Sequence, residues 1–189
     1  MMIKEAINKI VRGNDLTESE METTMLGILA GDTTPSQAGA FLSALTEKMA
    51  NVLKKLGARE AFVVFGEETY DEISICGPTT VSHLINDGVE SYQLDPRDYG
   101  FKTSPVEALK GGGAQDNARI INEIVSGSPG PKRDMVVLNA AAAFVAAGLD
   151  KDFKAGIQRA TEVIDSGKAN EKLDALVKFT ADCSYFTRN

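Results

Sequence analysis

The stretch that most limits the possible folds is a helix running straight into a buried-type strand. Residues 46–57, TEKMANVLKKLG, are amphipathic, and their spacing predicts Met49, Val52, Leu53 and Leu56 on the inward face. Gly57 ends the helix, and AFVVFG at 61–66 follows as a continuous apolar run. Such a run suits a strand buried on both faces, so the pair reads as half of a β-α-β unit. No strand precedes the helix. TTPSQAGAFLSAL joins it directly instead, with Thr34 as N-cap, Pro35 at the first helical position and no turn residue between the two segments.

Upstream, residues 2–12 put Ile3, Ile7, Ile10 and Val11 on one helical face, and Gly13-Asn14 is a stop. LTESEMETTMLGILAG carries a capping box, Thr17 with Glu20. Met21, Met25, Leu26 and Leu29 are expected on a shared packing face. Residues 1–45 therefore read as a small helical subdomain and residues 46–189 as an α/β region. Beyond β-type AFVVFG, DEISI is expected as a short strand and TTVSHLINDGVESYQLD as a hairpin about Asn86-Asp87-Gly88. Its candidate core residues are Val81, Leu84, Val89, Tyr92 and Leu94. A loop-rich connection leads to helices at Asp116–Ser126, Asp134–Ala147 and Asp152–Ser166. A last helix covers about Asn170–Ala181, before the tail CSYFTRN.

Composition removes several function classes. A formal net charge of −7, with 6% aromatic residues and no Trp, argues against a nucleic-acid binder, which needs a basic surface or stacking rings. Cys76 and Cys183 form no CxxC pair, and His83 is the sole histidine, so a Cys/His zinc site is excluded. His83 reads as a surface or half-buried strand residue rather than a catalytic base. No signal-peptide core opens the chain, and the apolar run 135–148 is too short for a bilayer, so a cytoplasmic, membrane-free protein is expected. The glycine run LKGGGAQDNA (109–118) lacks the Gly-Lys-Ser/Thr of a phosphate loop and reads as a hinge before a helix. Asn117 and Asn139, on otherwise apolar helices, are expected to bond neighbouring backbone.

The sharper signal is TYDEISI, where Asp71 and Glu72 stand together at an expected strand entrance. In regular β geometry they would point to opposite faces. Where the backbone turns, both can face a cleft and hold Mg²⁺, which prefers oxygen ligands and keeps several waters. A solvated acidic loop is the competing reading.

Two blocks, VLKKLGAREAFVVFGEETYDEISICGPTTV (52–81) and GGGAQDNARIINEIVSGSPGPKRDMVVLNAAAAFVAAG (111–148), resemble the C-terminal half of the anthranilate phosphoribosyltransferase family. LAGDTTPSQAGAFLSAL is similar to that family's N-terminal helices. The resemblance implies a helical domain plus an α/β domain of the nucleoside phosphorylase/phosphoribosyltransferase type. It implies homodimers paired through the helices, and phosphoribosyl transfer from phosphoribosyl pyrophosphate (PRPP) to anthranilate in tryptophan biosynthesis. It assigns Asp71 and Glu72 to Mg²⁺, where a carboxylate-held metal neutralises the departing pyrophosphate. The family's Gly-Thr-Gly-Gly-Asp loop, its Asn-x-Ser-Thr and Lys-His-Gly-Asn segments and its anthranilate-contacting Arg do not occur here. All belong, in family order, at the Leu45–Thr46 junction. That junction therefore reads as the scar of a large internal deletion, and the chain is expected to be inactive or nearly so. No catalytic residue can be named. A non-catalytic dimerising remnant and a nucleoside phosphorylase relative remain as alternatives.

Overall fold

The computed structural model describes residues 3–66, 69 and 71–186. The chain divides into two compact units, 1–98 and 99–189.

The first unit opens with three helices, α1 (Ile3–Val11), α2 (Glu18–Leu29) and α3 (Pro35–Lys55). Reciprocal capping boxes start α2 and α3: Thr17 with Glu20, and Thr34 with Gln37. Each satisfies donors that the first helical turn leaves orphaned. Lys9 on α1 donates to Glu20 at 2.6 Å. That bond first, and the Thr17 backbone N–H second, hold the Glu20 carboxyl down at about 2. Ile3, Ala6, Ile10 and Phe41 form the buried centre, with Met21, Met25, Ile28, Leu42 and Leu45 against it. The expected α2 stripe is thus corrected in part. Met21 and Met25 pack inward, whereas Leu26 and Leu29 are exposed.

α3 is one unbroken helix of 21 residues through Leu45 and Thr46. Its second half also departs from expectation. Met49, Val52 and Leu56 are exposed, and the residues turned inward are Thr46 and Ala50. The reason is the surface α3 meets. It packs on β1 (Ala61–Gly66) and β2 (Thr79–Ile85), and the contact is made by small and hydroxyl side chains. Thr46 Oγ1 and Ser82 Oγ lie 2.8 Å apart, Ser82 Oγ is 3.1 Å from Ser91 Oγ, and Ser43 Oγ is 3.4 Å from Thr80 Oγ1. The Phe65 ring sits where a Cβ on Gly39 would approach it to 3.8 Å.

The sheet is three-stranded and antiparallel, in the order β1-β2-β3, with β3 at Gly88–Leu94. The hairpin is as expected. Asn86 and Asp87 take positive φ of 50° and 59°, the two-residue turn whose twist matches the strands. Val81, Leu84 and Leu94 are buried, but Tyr92 is exposed. Two expectations fail here. AFVVFG pairs with one strand among the described residues and is half-buried over its first four residues, rather than buried on both faces. The strand that would complete a β-α-β unit ahead of α3 is not found among the described residues, and the two pairings present are antiparallel. DEISI is no strand: residues 71–75 lie outside the sheet, with Ile73, Ser74 and Ile75 buried. Side-chain bonds replace a ladder there. The Ser74 N–H donates to Thr79 Oγ1 at 2.9 Å and the Cys76 N–H to Ser74 Oγ at 3.0 Å.

The second unit holds α4 (Ala114–Val125), α5 (Pro131–Ala146), α6 (Phe153–Asp165) and α7 (Lys168–Phe186), close to the spacing expected. Val137, Ala160 and Ile164 are its buried centre, with Phe101, Phe144 and Ile157 against them. α5 and α6 approach closely because Gly156 faces Ala141: a Cβ there would lie 2.7 Å from the Ala141 carbonyl oxygen. Asn139 Nδ2 donates to the Met135 carbonyl at 2.9 Å, the backbone bond expected of it.

Gly156→Ala should therefore destabilise the second unit by about 1–3 kcal/mol in urea unfolding, since backbone and not a flexible side chain blocks the methyl. In a double-mutant cycle of Thr46→Val with Ser82→Ala, denaturant midpoints should reveal a coupling of about 1 kcal/mol, from loss of the buried hydroxyl pair.

Candidate functional site

β1 ends at Gly66 and its chain returns to β2 at Thr79 through the acidic loop. Glu67, Glu68 and Tyr70 lie outside the described residues. Asp71 and Glu72 are both exposed, at bends rather than on a strand. The expectation that adjacent carboxylates diverge across a sheet therefore does not apply, and both side chains reach solvent from one turn.

The loop is anchored on both sides of the pair. The Asp71 N–H donates to the Thr69 carbonyl at 3.0 Å. Behind the pair, Ile73 and Ile75 are fully buried and hold the return strand down. In front, Gly66 is crowded: a Cβ would meet Thr69 Oγ1 at 2.5 Å and the Glu72 carbonyl oxygen at 2.7 Å. Glycine at 66 is what lets the loop fold back onto the strand end. Thr69 Oγ1 is buried without a hydrogen-bond partner. The loop presents two exposed carboxylates, oxygen groups of the kind a hard, partly hydrated cation such as Mg²⁺ takes, while the buried Thr69 hydroxyl lies against Gly66. Among the described residues no group of three or more His, Cys, Asp or Glu side chains gathers to hold a metal.

The other sequence candidates take structural places. His83 is buried, more deeply than expected, with Nε2 2.9 Å from Glu60 Oε1 and its ring stacked 3.9 Å from that of Phe62. Cys76 is half-buried. In the second unit, the expected glycine hinge is held by a side chain. The Gly112 N–H donates to Asn117 Oδ1 at 2.9 Å, and Asn117 Nδ2 returns a bond to the Gly112 carbonyl at 3.0 Å. Lys132 caps the same loop through the Lys110 carbonyl. Asp134, in the first turn of α5, has its carboxyl pushed up by burial, against the pull of Arg133. Hydropathy had no means of finding Thr69 or Gly66, whereas the Asn117 clasp is the bond to neighbouring backbone expected of that residue.

The glycosyl transferase family, a/b domain, matches residues 20–170. The anthranilate phosphoribosyltransferase of Desulfatibacillum aliphaticivorans is 49% identical over 144 residues, which cover 76% of this chain and 43% of that protein. The one from Desulfosudis oleivorans is 44% identical over 163 residues, 83% of this chain and 48% of that protein. The crystal structure of anthranilate phosphoribosyltransferase from Thermus thermophilus is similar with a TM-score of 0.63 and 38% identity, over 69% of this chain and 38% of that one. The Saccharomyces cerevisiae enzyme in complex with PRPP and Mg is similar with a TM-score of 0.61 and 29% identity, over the same shares. The chain thus spans less than half the length of these relatives. Among the described residues, no helix is long and apolar enough to cross a membrane.

Gly66→Ala should destabilise the first unit by about 1–3 kcal/mol, because its methyl collides with the Glu72 backbone; thermal unfolding followed by circular dichroism checks this.

Proposed function

Because the chain belongs to the glycosyl transferase family, a/b domain, with anthranilate phosphoribosyltransferases as relatives, we propose that it carries the metal-binding loop of phosphoribosyl transfer. We place Mg²⁺ on Asp71 and Glu72. The observation that carries this reading is the anchored loop, which presents both carboxylates to solvent from a turn fixed by Gly66 in front and Ile73 and Ile75 behind. The yeast relative holds PRPP with Mg, which agrees with oxygen donors of this kind. Bound there, Mg²⁺ would neutralise the charge of a pyrophosphate group.

What the chain's own residues do falls short of the full reaction. Transfer from PRPP to anthranilate needs groups that position both substrates, and those family segments are absent between Leu45 and Thr46. α3 crosses that point without a break, so the helix leads directly onto the sheet. The reading that follows is an internal deletion that keeps a metal loop and removes the substrate shell, leaving phosphoribosyl transfer at or near background. A non-catalytic role as a self-associating remnant gains support from the apolar side chains exposed on the helices, Leu26 and Leu29 on α2. These are the side chains a helix-mediated homodimer would cover.

Two measurements test the proposal. Mn²⁺, used as a paramagnetic probe for Mg²⁺, should bind the folded chain and broaden the amide signals of residues 71–73, and Asp71→Asn with Glu72→Gln should weaken binding by roughly tenfold. With PRPP and Mg²⁺ present, anthranilate fluorescence should stay flat. No Mn²⁺ binding at the loop would refute the metal assignment; fluorescence loss that scales with protein concentration would refute the assignment of inactivity.

A further inference from the structure

The sheet ends on two unlike edges. β3, on one side, is polar: Glu90, Ser91, Tyr92 and Gln93 are exposed. β1, on the other, reads Ala61-Phe62-Val63-Val64-Phe65-Gly66, with no charge and no proline. Its register against β2 runs through six consecutive pairs with no bulge. Edge strands normally carry such guards, because a bare row of backbone donors and acceptors recruits another strand. Among the described residues no strand pairs with the outer side of β1, and Phe62, Val63 and Val64 are half-buried, not enclosed.

We propose that the outer edge of β1 pairs antiparallel with β1 of a second copy of this chain, joining the two sheets into one. Two identical strands meet antiparallel about a two-fold axis normal to the sheet, an arrangement that closes on itself. With the axis at Val63 or at Val64, a valine faces its own copy and a phenylalanine faces a valine. These β-branched and aromatic–β-branched pairs are favourable cross-strand contacts. The choice of a second copy, rather than a foreign strand, rests on this self-complementarity. Either face of the joint then continues with apolar side chains alone, and no like charges are brought opposite one another within the paired segment. The net charge of −7 does oppose association at longer range, so added salt strengthens pairing by screening it. This contact is separate from any pairing through the helices. A chain using both would form open arrays rather than a closed dimer.

The test uses the full chain. Hydrogen–deuterium exchange is followed across a dilution series, with mass measured in parallel by sedimentation equilibrium at low and high salt. Expected are a dimer favoured by salt and outward amides within 62–64 that exchange more slowly as concentration rises. Val63→Lys should weaken association by roughly tenfold or more. Should that variant fail to fold, the exchange series on the unaltered chain decides alone. Amides within 62–64 that exchange at a rate independent of concentration, whether the chain is a monomer or a dimer formed elsewhere, overturn the proposal.

Discussion

The contact between α3 and the sheet is the constraint on which the first unit depends. One helix carries residues that close the helical core, such as Phe41, and residues that lie on the strands, such as Ser43 and Thr46. It has no break between these tasks. The seam is made of hydroxyls, so it works only while each finds its partner. Thr46 and Ser82 are buried, and a buried hydroxyl without a bond would cost about 1–3 kcal/mol. Small side chains also let the helix lie close, and the larger apolar residues of its second half are left facing outward as a result.

That seam in turn places the acidic loop. β1 is held from one face by α3 and from its side by β2, so Gly66 has a defined position at the strand end. The loop then has two fixed points, the crowded backbone at Gly66 and the buried pair Ile73 and Ile75. A pair of carboxylates between fixed points loses little conformational freedom on meeting a cation, which is the property a metal loop needs. The same arrangement leaves the outer side of β1 without a pairing strand among the described residues, so the acidic loop and that edge belong to one strand.

Local signals were legible where the physics is local. Both capping boxes, the Pro35 helix start and the Asn86-Asp87 turn follow from side-chain and backbone preferences over a few residues, and each is present as read. The helices of the second unit follow from periodicity alone. DEISI misled because its isoleucines alternate with a serine, and a strand and a side-chain-bonded plug give the same pattern. AFVVFG misled because its composition describes a strand buried on both faces, whereas its first four residues are only half-buried. The acidic pair was visible as two adjacent residues, but its geometry was not. Exposure of both depends on a turn whose tightness is set by Gly66 and by contacts made later in the chain.

Taken alone, the sequence determined the capped starts of α2 and α3, the hairpin and the resemblance that points to phosphoribosyl chemistry, because each rests on residues close together in the chain. Tertiary structure decided which apolar faces are covered and which are bare. Met49, Val52 and Leu56 have the spacing of a core stripe, yet α3 turns Thr46 and Ala50 inward, because its approach to the sheet admits small side chains and hydroxyl pairs. It also decided that β1 is an edge, since strand order depends on which segments are present to pair and no window of residues records that.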